Sequence, residues 1–141
     1  MLYTTTGDDG MSRLFGVSGR IAKDDPIFDA LGTVDELNAH IGVCFALADE
    51  SSGVRPILRT AQEKLFVVQA QLAGADKHIS QSDIADMERA IADIESRIEQ
   101  PRSFLIAGAT LLSAQLDVAR TIARRAERSI IACKAHLPPQ E

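Results

Sequence analysis

The sequence predicts an all-α protein, an up-and-down bundle of four helices behind a glycine-rich arm. Three observations lead there. Apolar residues recur at three- and four-residue steps through most of the chain beyond residue 24. Recognisable start and stop signals punctuate those runs. No stretch reads clearly as a strand. Amphipathic helices joined by short loops bury their apolar stripes against one another, which makes a bundle.

The first helix is expected to start at Asp24-Asp25-Pro26, because an Asp cap followed by Pro is a strong helix opening. Ile27, Leu31, Val34, Leu37, Ile41, Cys44, Phe45 and Ala48 form its stripe, and Ser51-Ser52-Gly53 is expected to end it. The second helix carries Val54, Ile57, Ala61, Leu65, Val68, Leu72 and Ala75, a near-heptad spacing suited to shallow packing angles. Lys77-His78 reads as a loop. Helix three begins near Ser82-Asp83, carries Ile84, Met87, Ile91, Ile94 and Ile98, and is closed by Pro101. Helix four spans about Thr110 to Ala135, with Leu112, Gln115, Leu116, Ala119, Ile122, Ala123, Ala126 and Ile130 inward and Pro138-Pro139 as its stop.

A chain of 141 residues fits one domain, here an arm over 1–23 and a helical body over 24–141. Hydrophobic residues make up 45%, enough for a real core. The net charge of −5 argues against a nucleic-acid binder. Cys44 and Cys133 lie far apart within helical patterns, and His40, His78 and His136 pair with neither, so reduced thiols are expected and a zinc site is not. No signal peptide and no long apolar run occurs, so a cytoplasmic protein without membrane contact is expected.

Two features carry chemistry. The arm, TTTGDDGMSRLFGVSGRIAK over 4–23, combines glycines with Thr and Ser hydroxyls and the cations Arg13, Arg20 and Lys23. Glycine lets backbone N–H groups approach an anion, so the segment has the makings of a phosphate cradle, although it matches neither a Walker loop nor a dinucleotide fingerprint. A flexible N-terminal arm is the alternative. On the last helix Arg120, Arg124 and Arg128 fall on one stripe with Asp117, flanked by Arg125 and Glu127. Like charges one turn apart repel, so such a stripe points to phosphates, to carboxylates of another helix, or to a solvated face balanced by Asp117 and Glu127. Asp35 and Asn38 lie one turn apart beside the apolar stripe of the first helix. An Asp35–arginine pair, within the chain or across a subunit interface, would satisfy one of them; an exposed acidic patch is the other reading.

Together these residues resemble the PduO-type ATP:cob(I)alamin adenosyltransferase family. Residues 3–16, YTTTGDDGMSRLFG, are similar to its N-terminal ATP loop, Y-T-x-x-G-D-x-G-x-[ST]-x-L-x-G. Residues 20–42, RIAKDDPIFDALGTVDELNAHIG, resemble the signature that ends in D-E-L-N-x-x-I-G. Residues 104–128, FLIAGATLLSAQLDVARTIARRAER, resemble its F-x-x-P-G-G…A-R-x-x-x-R-R-x-E-R helix.

The resemblance implies a homotrimer of helical bundles, five helices per subunit, with active sites between neighbouring subunits. It implies transfer of the 5′-carbon of ATP to the cobalt of a corrinoid, with release of triphosphate. Thr4, Thr6, Gly7, Asp8, Gly10, Ser12, Arg20 and Lys23 correspond to the ATP-binding arm, and Arg124, Glu127 and Arg128 to further ATP contacts. Arg120, Arg124, Asp35 and Phe104 correspond to the catalytic set. The resemblance further implies that Asp35 pairs with the first of those arginines across the interface and that Phe104 displaces the lower ligand of cobalamin. Mg²⁺ is carried mainly by the ATP phosphates. A corrinoid reductase and an adenosylcobalamin-dependent enzyme are the implied partners. Two departures stand out. The family's P-G-G is Ala107-Gly108-Ala109, and the sequence stops at Glu141 without the family's N-R-L-S-D helix. The latter suggests a truncated or degenerate member, for which a non-catalytic ATP- or corrinoid-binding bundle is the alternative function.

Overall fold

The computed structural model describes residues 4–133. Four helices dominate it: α1 (Pro26–Leu47), α2 (Val54–Leu72), α3 (Gln81–Glu95) and α4 (Leu111–Ala132). The expected α4 end at Ala135, its Pro138-Pro139 stop, Tyr3 and His136 lie outside the described residues. The all-α expectation needs one correction. Met11–Ser12 (β1) and Ile21–Ala22 (β2) pair antiparallel, Met11 opposite Ala22 and Ser12 opposite Ile21. Strands of two residues carry no periodic signal, which is why the sequence hides them.

Helix α1 opens as expected, with the Asp25 side chain accepting from the Ile27 N–H and Pro26 in the first turn. It closes at Leu47, earlier than Ser51, and a single 3-10 turn over Glu50–Ser52 fills the gap before α2. Gly53, at φ 68°, then turns the chain into α2. Ser80 caps α3 reciprocally with Asp83, and Thr110 caps α4 in the same way with Ser113. The Ala107-Gly108-Ala109 segment keeps its glycine where it matters, since Gly108 has φ 105°.

Helix α1 is the central element, packed on α2 along one side and on α4 along the other. Leu37, Ile41, Cys44, Leu58, Ala119 and Ile122 form one half of the core. Ile27, Ala30, Val34, Leu72, Ala126 and Cys133 form the other, and Leu14 of the arm joins them. Burying such a leucine is worth about 1.5–3 kcal/mol, so Leu14 pins the arm to the helices. A second anchor follows two residues later, where the Gly16 N–H donates to Ala73 O at 3.0 Å. A Cβ on Gly16 would lie 2.4 Å from Gly74 O, so this crossing tolerates only glycine. Cys44 and Cys133 are free and buried, and burial pushes both thiols up.

Helix α3 corrects the four-helix bundle. It has no buried residue, and Ile84, Ile91, Ile94 and Ile98 are exposed. Its periodicity is helical as expected, yet α1, α2 and α4 alone make the packed body. An ion pair, Lys64 Nζ to Asp83 Oδ1 at 2.5 Å, ties α3 to α2.

Candidate functional site

Two tight turns shape the arm, closed by Asp8 N–H to Thr5 O (3.1 Å) and Gly10 N–H to Gly7 O (3.3 Å). Thr5 sits at φ 59°, a left-handed conformation that a β-branched residue adopts only under constraint. Thr4 and Thr6 share a hydroxyl–hydroxyl bond of 2.8 Å. Beyond the turns, Lys23 closes the loop: its N–H donates to Gly10 O at 2.9 Å and its ammonium to Gly7 O at 2.6 Å. A Cβ on Gly7 would meet that ammonium at 2.9 Å, so a larger residue here would shift the flexible end of the lysine.

The folded arm encloses a cleft of about 550 Å³ lined by Thr6, Gly7, Met11, Ser12, Arg13 and Arg20. Thr6, Gly7, Ser12 and Arg20 were expected at the site. Thr4, Asp8, Gly10 and Lys23 belong to the same loop and build its turns, outside the lining. Arg13 is a cleft residue that sequence reasoning counted only as charge. Asp9 was missed altogether, and it takes both ends of the Arg20 guanidinium, at 2.5 and 2.7 Å. The Arg20 guanidinium, followed by the Met11 N–H, holds the Asp9 carboxyl below the usual carboxylate range.

None of the other expected residues lines this cleft. Arg120 pairs with Asp117 of its own helix at 3.3 Å, and Arg124 approaches Glu127 at 3.9 Å. Arg128 donates to Arg124 O at 2.9 Å. All three arginines are exposed, so the stripe faces outward with part of its donor capacity unused. Glu127 helps line an apolar recess of about 320 Å³ between α1, α2 and α4, with Val34, Leu65, Val68 and Ala126 in its wall.

Among the described residues no arginine of the chain pairs with Asp35. Asp35 is exposed and accepts from Gln69 Nε2 at 3.1 Å. The charge pair that does join α1 to α4 is its neighbour Glu36 with Arg125, at 2.5 Å. Asn38 is buried, and its Oδ1 has no partner among the described residues. Phe104 lies in the irregular segment between α3 and α4 and is fully exposed, followed by exposed Leu105 and Ile106. Core packing therefore does not account for it. Among the described residues no group of three His, Cys, Asp or Glu is placed to hold a metal, and no helix is long and apolar enough to cross a membrane.

A corrinoid adenosyltransferase of Citrobacter freundii is 43% identical over 138 residues, covering 93% of this chain and 77% of that protein. The corrinoid adenosyltransferase PduO of Salmonella typhimurium is 38% identical over 138 residues; the match takes in 92% of this chain but 40% of PduO. Among solved structures, a phenylalanine-to-alanine variant of the PduO-type ATP:corrinoid adenosyltransferase from Lactobacillus reuteri, complexed with cobalamin and ATP, superposes with a TM-score of 0.90 at 30% identity, covering 99% of this chain and 81% of that one. An arginine-to-lysine variant from the same organism, complexed with ATP, gives a TM-score of 0.86 at 32% identity, covering 95% and 78%. The cobalamin adenosyltransferase family model matches residues 2–140, from the arm through the last helix. Arm, DELN helix and arginine helix thus fall within one continuous match, and the chain belongs to the cobalamin adenosyltransferase family.

Proposed function

We propose that this chain transfers the 5′-deoxyadenosyl group of ATP to the cobalt of a reduced corrinoid, forming adenosylcobalamin and triphosphate. The observation that carries the reading is the cationic, glycine-built cleft of the arm in a chain of this family. The cobalt(I) of the substrate is the nucleophile. It attacks C5′ of ATP, the C5′–O bond breaks, and the electron pair leaves with the triphosphate. Such a reaction asks the protein for orientation and for charge to receive the leaving group, not for a Ser, Cys or His nucleophile.

The parts divide accordingly. Thr6, Gly7, Ser12 and Arg20 receive the triphosphate in the cleft, and Thr4, Asp8, Gly10 and Lys23 keep the loop in shape around it. Mg²⁺ arriving with ATP would be held mainly by the phosphates and would supply charge neutralisation there. Arg120 and Arg124 serve the reacting end of ATP, with Glu127 and Arg128 beside them, and Phe104 meets the corrinoid. The α4 arginines do not line the arm's cleft, which supports a homotrimer that completes each site between neighbours through Asp35 and Arg120.

The test is direct. The full protein, ATP·Mg and chemically reduced cob(I)alamin should give one cobalt–carbon bond, seen in the visible spectrum, per triphosphate released. Binding of ATP with no adenosylcorrinoid formed would leave a nucleotide-binding module instead.

A further inference from the structure

Arg20 lines the cleft, and Asp9, which grips it, does not. The Arg20 fork is heavily committed. Nη1 donates to Asp9 Oδ2 at 2.5 Å, and Nη2 donates to Asp9 Oδ1 at 2.7 Å, to Met11 O at 3.0 Å and to Thr6 O. Of the five guanidinium N–H groups, three are thereby engaged with four acceptors, one of them shared. Thr6 and Met11 both line the cleft, so this one side chain joins the two sides of the cavity wall. Asp9 Oδ1 also accepts from the Met11 N–H at 3.1 Å, which binds the aspartate to the start of β1 as well.

A fork-to-fork Arg–carboxylate pair fixes both partners in one plane. Without the carboxylate, a half-exposed arginine gains little by keeping such a geometry, because water competes for each N–H. The carbonyl contacts to Thr6 and Met11 would then loosen with it. We propose that Asp9 is a positioning residue for the nucleotide: it clamps Arg20 from behind the cleft, and through Arg20 it fixes the Thr6 and Met11 backbone that shapes the phosphate site. This rests on the arm being the ATP site.

The opposite reading is electrostatic. A carboxylate near a triphosphate repels it and competes for Arg20, so its removal would tighten ATP. The two readings differ in sign. The experiment uses the full protein with ATP·Mg and chemically reduced cob(I)alamin, comparing Asp9→Ala, Asp9→Asn, Arg20→Ala and the Asp9→Ala/Arg20→Ala double variant. Both residues are on the surface, so circular dichroism should confirm an unchanged helical body. Asp9→Ala is expected to raise KM for ATP about tenfold with kcat nearly unchanged, in the range of coupling found within one hydrogen-bond network. Asp9→Asn, which keeps an acceptor for Met11 and for one arm of the fork, should recover part of that loss. The double variant should be no worse than Arg20→Ala alone. An Asp9→Ala protein with unchanged or lower KM, while Lys23→Ala weakens ATP, overturns the clamp and leaves the arm as the ATP site. ATP binding that none of the Asp9, Arg20 or Lys23 substitutions affects overturns both.

Discussion

Asp35 of α1 accepts a hydrogen bond from Gln69 of α2 at 3.1 Å, and no arginine of its own chain reaches it among the described residues. The amide orients one carboxylate oxygen and leaves acceptor capacity on the exposed side of α1. A carboxylate held in this way can accept a cation from another molecule, as the proposed trimer requires. Removing one partner of a pair that association desolvates costs about 3–5 kcal/mol. If the proposed trimer forms through this carboxylate, Asp35→Ala is expected to weaken it and the activity far more than the control Asp49→Ala. Light scattering at micromolar concentration checks this, and a monomeric parent protein would remove the basis for the interface.

Arg124 makes only a loose 3.9 Å approach to Glu127 and is exposed on α4, so its guanidinium is free to turn to a phosphate. Arg124→Ala should keep the thermal midpoint near the parent's, since an exposed substitution rarely moves stability by more than about 0.5 kcal/mol. Its kcat from cob(I)alamin should nevertheless fall about 10²–10³-fold, the usual loss when one donor to a developing anion is deleted. Equal loss of melting temperature and activity would mean that the residue serves the fold.

The start of α1 was legible because Asp25 and Pro26 act locally on adjacent backbone groups. The stripe of α3 was legible as helix but not as a surface: periodicity reports that Ile84, Ile91 and Ile94 share a face, not whether any element covers it. The Asp9–Arg20 clamp and the Gly16–Gly74 crossing join residues remote in sequence through loops with no repeat, so no pattern announces them. The arginine stripe lies on one exposed face of α4, as its spacing implies, but spacing carries no information about what meets that face.

Acid should release α3 before it unfolds the body. Asp83 accepts from Lys64 and from both the N–H and the hydroxyl of Ser80. The Lys64 ammonium, followed by the Ser80 groups, lowers its pKa from 3.8 to about 2. A carboxyl with a folded value below its unfolded one stabilises the fold fully above the unfolded value and loses that contribution as pH falls through the folded one. The α3 tether should thus be intact at neutral pH, weaken from about pH 4 and be lost near pH 2. Hydrogen exchange of α3 amides across that range checks it. Asp83→Asn should raise exchange at pH 7 and flatten the acid dependence, whereas an unchanged profile would dissociate the tether from Asp83.

Phe104 gives the sharpest separation of chemistry from stability. Its ring is fully exposed in the segment leading to α4, so trimming it leaves no cavity and should not change the melting temperature of the isolated chain. An exposed aromatic beside exposed Leu105 and Ile106 has apolar area to offer a large planar ligand. If it displaces the lower ligand of cobalamin, its work is done before cobalt(II) is reduced. Phe104→Ala should then fail mainly when the assay starts from cob(II)alamin with an enzymatic reductant. The loss should be much milder when chemically reduced cob(I)alamin is supplied, because displacement is no longer needed. Equal loss from both starting states would place Phe104 in corrinoid binding or the transfer step. No loss from either would leave its exposure without a part in this reaction.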